Sequence, residues 1–353
     1  MRKFAVFGGF LGAGKTTTMM ALTRYCSAHF CKAAMISNDL GAGVTLADHK
    51  QAQLGGCEAA QITDECICFC RDVLAERLER FYSDGCGLVV SDIPGFGVGA
   101  LEHVYFGLED DAPGRFELAP FTVITEPRCV ELLRSGSGGD ESFILDAQLR
   151  EAELIVLNKC ELPEPETLGA ELEWLSRAYP GAKTLAISAR EGRGLDELCR
   201  ALLDGRASMR RPDIDYGGEG LQRAMGRLSE YYLQYRAVIC CNDFDGSEYL
   251  LRIAERIGAA VRDAGFEIPH LKLLAWGPDG DYGKVDLLGA ERPAELTRRF
   301  ERPCTDVAVI INTSAFCPDG RLNRLIGEAV GEASGRYGLE LNIFRKDCFA
   351  MGG

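Results

Sequence analysis

Residues 9–16 read Gly-Phe-Leu-Gly-Ala-Gly-Lys-Thr, or GFLGAGKT in one-letter code, which matches the pattern G-x-x-x-x-G-K-[ST]. The stretch follows an apolar run, Lys3–Phe7, that predicts a strand, and it opens a helix-like segment, Thr16–Ala28. Glycines let the backbone curl so that consecutive N–H groups point at phosphate oxygens. The start of the helix adds the positive end of its dipole. The stretch therefore predicts a phosphate-binding loop between a strand and a helix.

Each residue of this loop is expected to contact a particular part of a bound nucleotide. Those expected to touch it are Gly12, Ala13, Gly14, Lys15, Thr16 and Thr17. In such loops the lysine, here Lys15, reaches the β- and γ-phosphates, and the hydroxyl of Thr16 ligates Mg²⁺. A dinucleotide-binding loop is excluded, because a lysine follows the last glycine and no G-x-G-x-x-G is present. We therefore expect a mononucleotide bound with Mg²⁺.

A second motif, Asp92-Ile93-Pro94-Gly95, ends the predicted strand Leu88–Ile93. A carboxylate at a strand end beside a phosphate loop is placed to hold the Mg²⁺ shell. The N–H group of Gly95 can contact a γ-phosphate and move when that phosphate leaves. A D-x-x-G pattern also fits a plain turn, but its place after the phosphate loop favours a functional role. Lys15, Asp92 and Gly95 are therefore candidate catalytic residues.

Two further motifs point to the base of the nucleotide. The residues expected there are Asn158, Lys159, Glu161, Ser188 and Ala189. The first motif resembles N-K-x-D, whose carboxylate accepts hydrogen bonds from guanine N1–H and the exocyclic amine; here Glu161 replaces the aspartate and adds one methylene of reach. Adenine presents an acceptor at N1, so a carboxylate at this position disfavours ATP. The second motif resembles the S-A-K loop that backs the base. Together they predict binding of GTP and GDP.

Short apolar runs alternate with helix-like segments through the first part of the chain, which predicts a parallel sheet with helices on both faces. The predicted strands are Lys3–Phe7, Ala33–Ser37, Leu88–Ile93, Phe121–Thr125, Leu154–Leu157 and Thr184–Ile187. The predicted helices are Thr16–Ala28, Arg71–Tyr82, Thr167–Tyr179 and Leu195–Leu203. Loops are expected at Pro94–Pro120 and Ser135–Asp140. The predicted fold class is α/β, a P-loop NTPase with a doubly wound, mainly parallel sheet.

The pattern changes after a glycine-containing stretch. We expect a GTPase domain over residues 1–205, a linker over 206–220 and a smaller C-terminal α+β domain, of ferredoxin-like type, over 221–353. Its predicted elements are a helix at Leu221–Arg236, a strand at Ala237–Cys241, a helix at Ser247–Ala264, strands at His270–Trp276, Tyr282–Leu288 and Val307–Asn312, a helix at Arg321–Tyr337 and a strand at Leu339–Phe344. Lys346–Gly353 is expected to be a disordered tail. The domain shows no catalytic constellation, so partner binding is its expected role.

Composition excludes several classes of function. The chain has 353 residues, a net charge of −14 and a sequence pI of about 4.9, which argues against nucleic acid as the main partner, because phosphate binding needs a basic surface. No run is long and apolar enough to span a bilayer, and the N-terminal apolar run enters the glycine-rich loop without a cleavage region. We therefore expect a cytoplasmic protein with neither nucleic acid nor membrane as partner. Its fifteen cysteines favour metal binding or burial over disulfides.

One group of cysteines, Cys66, Cys68 and Cys70, alternates with Ile67 and Phe69. Three thiolates this close in sequence can ligate Zn²⁺ or another soft or borderline transition metal. In an extended strand the alternate sulfurs would be about 6.6–7 Å apart, which is too far for one ion, so a metal site requires a bent loop. Cys57, Glu65, a water or a second subunit is a candidate fourth ligand. Buried small side chains or a redox cluster are the alternatives.

These motifs together resemble the CobW-like GTPases, which are SIMIBI-class P-loop proteins grouped with the urease and hydrogenase nickel-insertion GTPases. The resemblance covers about residues 1–205. It rests on GGFLGAGKTT, on ISNDLGAG (Ile36–Gly43) in the place of the family's N-E-F-G segment, and on the cysteine cluster, where the family usually has C-x-C-C. The C-terminal domain looks like that of CobW-like proteins found with corrinoid methyltransferases. The resemblance implies that Asp39 lies near Mg²⁺ or the attacking water and is catalytic, and that the protein forms a homodimer.

The resemblance also implies a metallochaperone or cofactor-insertion switch. Such a protein hydrolyses GTP slowly to GDP and phosphate, and its nucleotide state controls Zn²⁺ or Co²⁺ at the cysteine cluster. Its client would be a metalloenzyme or a corrinoid (cobalamin) methyltransferase protein. Two alternatives stay open. A small-molecule kinase shares the phosphate loop but lacks guanine-reading motifs, and a metal sensor would use the nucleotide only for its structure.

Overall fold

A computed structural model describes residues 2–41, 46–136, 139–240, 242–289 and 292–351 of the chain. The chain divides into two compact units. The first comprises Met1–Leu40 and Gly55–Ala224, and the second comprises Gly41–Leu54 and Met225–Gly353. A short segment near the N-terminus therefore belongs to the same unit as the C-terminal part of the chain.

The secondary-structure elements are numbered in chain order. The strands are β1 (Lys3–Gly8), β2 (Ala33–Asn38), β3 (Ala59–Ile62), β4 (Leu88–Asp92), β5 (Glu117–Leu118), β6 (Thr122–Thr125), β7 (Leu154–Leu157), β8 (Lys183–Ala186), β9 (Ser229–Val238), β10 (Glu267–Trp276), β11 (Tyr282–Leu287), β12 (Glu295–Arg298), β13 (Asp306–Phe316) and β14 (Glu340–Ala350). The α-helices are α1 (Lys15–His29), α2 (Ala47–Leu54), α3 (Arg71–Ser83), α4 (Gly107–Asp111), α5 (Pro127–Ser135), α6 (Gly139–Glu151), α7 (Pro165–Ala178), α8 (Leu195–Asp204), α9 (Glu219–Gly226), α10 (Gly246–Asp263) and α11 (Asp319–Tyr337). A π-helical segment, Leu101–Phe106, precedes α4.

The first unit is built on a parallel sheet in the order β3-β2-β4-β1-β6-β7-β8, with β5 pairing on β1. Strands β1, β2, β4, β6 and β7 are buried along their whole length. Strands covered on both faces have continuous apolar sequences, such as LIVL in β7. The predicted α/β fold class is confirmed. Because all these strands are parallel, their carboxyl ends share one edge, and the segments that follow β1, β4, β6, β7 and β8 begin there.

The second unit has a six-stranded antiparallel sheet in the order β12-β11-β10-β13-β9-β14. Without the β11-β12 hairpin, the elements β9-α10-β10-β13-α11-β14 form a βαββαβ unit with the strand order expected for a ferredoxin-like sandwich. One face carries the apolar core with α10 and α11, including Leu271, Leu273, Ile311, Ile253 and Ile326. The predicted C-terminal α+β architecture is confirmed.

The other face of this sheet carries helix α2, which comes from the N-terminal segment of the same unit. Ala47 of α2 packs in a buried cluster with Leu274 and Ile310. The Nζ of Lys272 on β10 donates to both carboxylate oxygens of Asp48, at 2.7 and 2.6 Å. Apolar packing and a bidentate ion pair together fix α2 on the sheet.

Several predicted elements were wrong. The predicted helix at Leu221–Arg236 is the short helix α9 followed by β9, because Tyr231, Leu233 and Tyr235 alternate into the core with the period of a strand. The predicted loop at Pro94–Pro120 contains the π-helical segment, α4 and β5. The expected tail from residue 346 onward belongs to β14 up to Ala350.

Other predictions concern positions near the undescribed residues. Of the predicted loop at Ser135–Asp140, Ser135 ends α5, and Gly139 and Asp140 begin α6. Its residues 137–138 lie outside the described ranges, as do Cys241 and residues 352–353. Within the described parts of the chain, no helix is long and apolar enough to cross a membrane.

Candidate functional site

The predicted phosphate loop connects β1 to α1. Gly9, Gly12 and Gly14 have φ values of 129°, 82° and 92°, in the left-handed region that glycine adopts without strain. A Cβ on Gly14 would lie 2.3 Å from Nδ2 of Asn158, so a side chain is excluded there by contact as well as by conformation. The helix begins at Lys15 directly after this turn. The loop therefore has the curled backbone and the helix start that a phosphate group requires.

Asn158 joins the phosphate loop to the two predicted base-binding segments. It follows β7 and is buried. Its Nδ2 donates to the carbonyl of Ala13 at 2.9 Å, and its Oδ1 accepts from the N–H of Ala189 at 3.1 Å. In sequence, Ala13 lies 145 residues from Asn158 and Ala189 lies 31 residues from it. The Asn158 side chain thus fixes the phosphate loop relative to the segment that contains Ala189. The structure brings together the predicted phosphate-loop and base-binding residues Gly12–Gly14, Asn158, Lys159, Ser188 and Ala189.

The next residue, Lys159, is held by a partner that the sequence analysis missed. Its Nζ donates to the carbonyl of Gly12 at 2.8 Å and to Oε2 of Glu126 at 2.5 Å. Glu126 follows β6 and its side chain is 3% exposed, against 19% for Lys159. Lys159 itself adopts a φ of 63°. A buried charge pair therefore holds the lysine against the phosphate loop, and only the arrangement of β6 beside β7 shows it.

Glu161 has the property expected of a base-reading carboxylate. Its Oε2 is buried and, among the described residues, has no hydrogen-bond partner. Buried carboxylate oxygens are costly to leave unpaired. Two neighbouring donors on a ligand, such as guanine N1–H and the exocyclic amine, would satisfy this carboxylate. The residues present therefore fit a guanine base.

The Mg²⁺ and phosphate side of the site is built from the ends of β1, β2 and β4. Nζ of Lys15 donates to the carbonyl of Gly9 at 2.5 Å, and Thr16 is 5% exposed at the start of α1. Asp92 ends β4 and its Oδ1 accepts from the N–H of Asn38 at 2.8 Å. Because β4 lies beside β1, Asp92 and the phosphate loop share one edge of the sheet. This donor set, with a hydroxyl and a carboxylate, fits Mg²⁺ bound together with a nucleotide.

The segment after Asp92 is positioned by helix α6, which the sequence analysis also missed. Gln148 donates through Nε2 to the carbonyls of Gly95 and Gly97, at 3.1 and 2.9 Å. Glu151 accepts from the N–H groups of Gly99 and Leu101, at 2.9 and 2.6 Å. A Cβ on Gly95 would lie 2.4 Å from a side-chain carbon of Leu11 and 3.2 Å from Nζ of Lys15, so Gly95 lies against the phosphate loop.

Glu151, on α6, is a titratable side chain that binds the segment after Asp92. Burial raises its pKa to about 7, although the backbone N–H groups of Leu101 and Gly99 act in the opposite direction. It is 1% exposed. The segment that follows Asp92 is therefore anchored by a carboxyl group that titrates near neutral pH.

Asp39, which the resemblance places near Mg²⁺, directly follows β2. Its N–H donates to the carbonyl of Ile62 at 3.3 Å, and its Oδ1 accepts from the N–H of Leu40 at 2.9 Å. It is partly exposed. Residues 42–43, at the end of the ISNDLGAG segment, lie outside the described ranges. Asp39 thus stays a predicted catalytic residue at the same edge of the sheet as Asp92.

The cysteine loop, which we define as residues 65–70, is bent rather than extended. The N–H of Phe69 donates to the carbonyl of Cys66 at 2.8 Å, which closes a turn. The sulfurs of Cys66 and Cys68 are 2.8 Å apart, whereas the Sγ of Cys70 donates to the carbonyl of Cys66 at 3.4 Å. The described residues contain no group of three or more His, Cys, Asp or Glu side chains arranged to hold a metal. The loop therefore brings two of the three predicted thiols together.

The close approach of two sulfurs changes their acidity. The hydrogen bond between the two thiols lowers the pKa of Cys66 and raises the pKa of Cys68. Burial raises the pKa of Cys70 to about 11. The two thiols therefore differ in acidity, and Cys66 is the more acidic of the pair. Cys57, proposed as a fourth ligand, instead accepts from Nε of Arg24 on α1 at 3.5 Å.

The site defines a class of protein: a P-loop nucleotide-binding protein with guanine-type base motifs. The family model for the CobW/HypB/UreG nucleotide-binding domain matches residues 3–186. The chain belongs to this family, whose members are GTP-binding proteins. The resemblance found in the sequence is confirmed at this level. No curated protein sequence matches the chain.

Several solved structures are similar to this chain. The hydrogenase maturation factor HypB from Archaeoglobus fulgidus is 20% identical, with 56% of this chain and 86% of that chain covered and a TM-score of 0.38. HypB from Helicobacter pylori in complex with nickel is 15% identical, with coverages of 58% and 89% and a TM-score of 0.40. The Zn(II)-bound YjiA GTPase from E. coli is 13% identical, with coverages of 93% and 98% and a TM-score of 0.37.

Proposed function

We propose that this protein is a GTP-hydrolysing switch whose nucleotide state controls a thiol loop that carries a metal or cofactor to a client. The observation that supports the nucleotide part best is the position of Asn158. One buried side chain bonds the phosphate loop through Ala13 and the base loop through Ala189. A phosphate loop held in register with a base-reading carboxylate is suited to one purine nucleotide, and Glu161 selects guanine.

Each residue of the site has a role in this proposal. The N–H groups of Gly12–Thr17 and the ammonium of Lys15 bind the phosphates, while Thr16 and Asp92 hold Mg²⁺. Mg²⁺ supplies neutralisation of the charge that develops on the phosphate oxygens. Asp39 orients the attacking water, and Gly95 presents its N–H to the γ-phosphate. Hydrolysis by such a site depends on positioning and charge, so slow intrinsic turnover is expected.

The cargo part of the proposal rests on the cysteine loop. A thiol pair with sulfurs 2.8 Å apart, in which the hydrogen bond from Cys68 lowers the pKa of Cys66, supplies two ligands for a borderline or soft ion such as Zn²⁺ or Co²⁺. Cys70 is four residues beyond Cys66 and joins after the turn opens. Phe69 is 73% exposed, so an apolar contact for a client lies within the same loop. A metalloenzyme or a corrinoid methyltransferase protein is the proposed client, the second unit is the proposed client-binding part, and a homodimer is the proposed assembly.

Competition binding tests the nucleotide assignment. A fluorescent GDP analogue bound in the presence of Mg²⁺ is displaced by GTP, GDP or ATP. We expect guanine nucleotides to be preferred over ATP on the order of a hundredfold or more, because the wrong base leaves the Glu161 carboxylate unpaired. Glu161→Gln should remove most of that preference, whereas Glu166→Gln, at an exposed position on α7, should keep it. Equal affinity for ATP and GTP in the wild type would favour the small-molecule kinase.

Cobalt titration tests the cargo assignment. Reduced protein should bind one Co²⁺ per chain with a thiolate-to-metal absorption band. Cys66→Ser and Cys68→Ser should each abolish that band, and Cys240→Ser, at an exposed cysteine of the second unit, should leave it unchanged. A band that survives both loop variants would refute the assignment of the metal to this loop.

A further inference from the structure

Asn38, the last residue of β2, makes hydrogen bonds in two directions. Its backbone N–H donates to Oδ1 of Asp92 at 2.8 Å. Its side-chain Nδ2 donates to the carbonyls of Glu65 and Ile62, at 2.9 and 3.2 Å, and its Oδ1 accepts from the N–H of Ile67 at 3.0 Å. The residue is 3% exposed. One buried residue therefore touches the Mg²⁺-side carboxylate and the backbone on both sides of Cys66.

We propose that Asn38 is a positioning residue that couples nucleotide state to the conformation of the cysteine loop. The proposal rests on the proposed function, since it requires that Mg²⁺ and nucleotide meet Asp92. It goes beyond that function by naming the residue through which the nucleotide site reaches the thiols. Asn38 itself need touch neither the nucleotide nor the metal cargo.

The hydrogen bond between Asp92 and Asn38 depends on the charge near the Asp92 carboxylate. Asp92 Oδ1 is an acceptor for the N–H of Asn38. The charge beside this carboxylate differs between the two nucleotide states, since Mg²⁺·GTP carries one more phosphate group than Mg²⁺·GDP. That difference changes the strength of the hydrogen bond. Strands β2 and β4 are paired in register, with Ile36 opposite Ser91, so their backbones do not move apart freely. A change at Asp92 is therefore transferred to the position of the last residue of β2.

The three side-chain hydrogen bonds of Asn38 to the segment 62–67 form and break together. The amide of Asn38 is planar, and its oxygen and nitrogen are both used by backbone groups of the segment 62–67. Rotation of this one side chain breaks all three hydrogen bonds together, so the segment has a bonded and a released arrangement rather than a continuous range. Energetic coupling between two sites requires an element with two arrangements whose equilibrium both sites shift. The segment 62–67 is such an element for the nucleotide site and the thiols.

Thiol labelling in two nucleotide states tests the proposal without requiring turnover or metal. Reduced full-length protein with Mg²⁺ and either GDP or a non-hydrolysable GTP analogue is treated with iodoacetamide, and labelling rates of the cysteine-loop peptide are measured by mass spectrometry. Exposed Cys240 serves as the internal standard and buried Cys129 as the internal negative. Fluorescent nucleotide titration on the same samples reports binding separately.

In the wild type we expect the loop labelling rates in the two nucleotide states to differ by at least about fivefold, the lower end of common coupling strengths. In Asn38→Ala the ratio should fall to about 1 while both nucleotides still bind, and labelling in both states should be faster by roughly tenfold or more, since three hydrogen bonds are lost. Asn38→Ser is the second variant if the alanine protein does not fold. Asn342→Ala, at an exposed position on β14, is the matched control.

The outcomes separate this proposal from the proposed function. A purely structural role would raise labelling equally in both states and preserve the wild-type ratio, which overturns the coupling role of Asn38. A wild-type ratio of about 1 with nucleotide bound also overturns it. Absence of nucleotide binding in the titration refutes the proposed function itself and removes the basis of this inference.

Discussion

Replacing Glu126 with glutamine tests whether the buried ion pair positions the base-reading segment. The wild-type carboxylate lies 2.5 Å from Nζ of Lys159, and the two side chains are only 3% and 19% exposed. Glutamine keeps the shape and one acceptor but removes the charge. Lys159 keeps its hydrogen bond to the carbonyl of Gly12. The substitution therefore makes the position of the lysine less well fixed but does not release its side chain. Loss of one charge-assisted hydrogen bond is worth about 1.5–3 kcal/mol.

That free energy corresponds to a loss of GDP affinity of roughly tenfold to a hundredfold. The assay is titration of a fluorescent GDP analogue, with urea unfolding measured in parallel so that a global loss of stability is recognised. Glu171→Gln is the control, since Glu171 is also buried, at 5% exposed, and lies on α7, outside the nucleotide motifs. If Glu126→Gln binds GDP as tightly as the wild type, the pair does not position Lys159 and this reasoning is refuted.

Three further perturbations follow from the geometry of other residues. Gly14→Ala should reduce nucleotide affinity at least about tenfold and lower the Tm, because φ is 92° and a Cβ would lie 2.3 Å from Asn158; Gly169→Ala, with nothing within 4 Å of its Cβ, should be neutral or stabilising. Burial raises the pKa of Glu151 to about 7 from 4.5, so between those pH values the folded protein holds a proton that the unfolded chain has lost. Stability should therefore fall by about 3 kcal/mol as pH rises through that window, and the comparison with Glu151→Gln in urea unfolding should show this fall only in the wild type. Lys272→Met should speed amide exchange in α2 on the order of tenfold, unlike Arg256→Met at an exposed pair on α10; unchanged exchange would show that the bond to Asp48 does not hold the helix.

The nucleotide-binding residues could be predicted from the sequence because their chemistry is local. The phosphate loop needs its glycines, lysine and threonine within eight consecutive positions, and each later motif directly follows an apolar strand. Parallel strands place such segments at one edge of the sheet, so order along the chain was enough to assemble them. The positions of Asp92 and Asn158 follow this rule.

The supporting residues could not be predicted, because their partners are far away in sequence. Glu126 acts on Lys159 33 residues later, and Gln148 acts on Gly95 53 residues earlier. Glutamate and glutamine at helix or strand ends are common on surfaces, so nothing local distinguishes these two. Only the packing of β6 beside β7, and of α6 near the segment after β4, gives them a role.

The C-terminal error has a different cause. Residues 221–236 contain many good helix formers, yet Tyr231, Leu233 and Tyr235 form part of the core of the second unit. Local propensity is weak compared with burial of such large side chains, so the strand forms against β13 and β14. The membership of α2 in the same unit was also beyond prediction, since its contacts with β10 join positions 224 residues apart.

The most direct test of the account is the affinity of reduced wild-type protein for Co²⁺ in two nucleotide states. Absorbance titration would be made with saturating GDP and with a non-hydrolysable GTP analogue, both with Mg²⁺. We predict that the dissociation constants for Co²⁺ differ by about fivefold or more, because both sites bias one connected segment. Equal dissociation constants, with both nucleotides bound, would contradict control of the cysteine loop by the nucleotide.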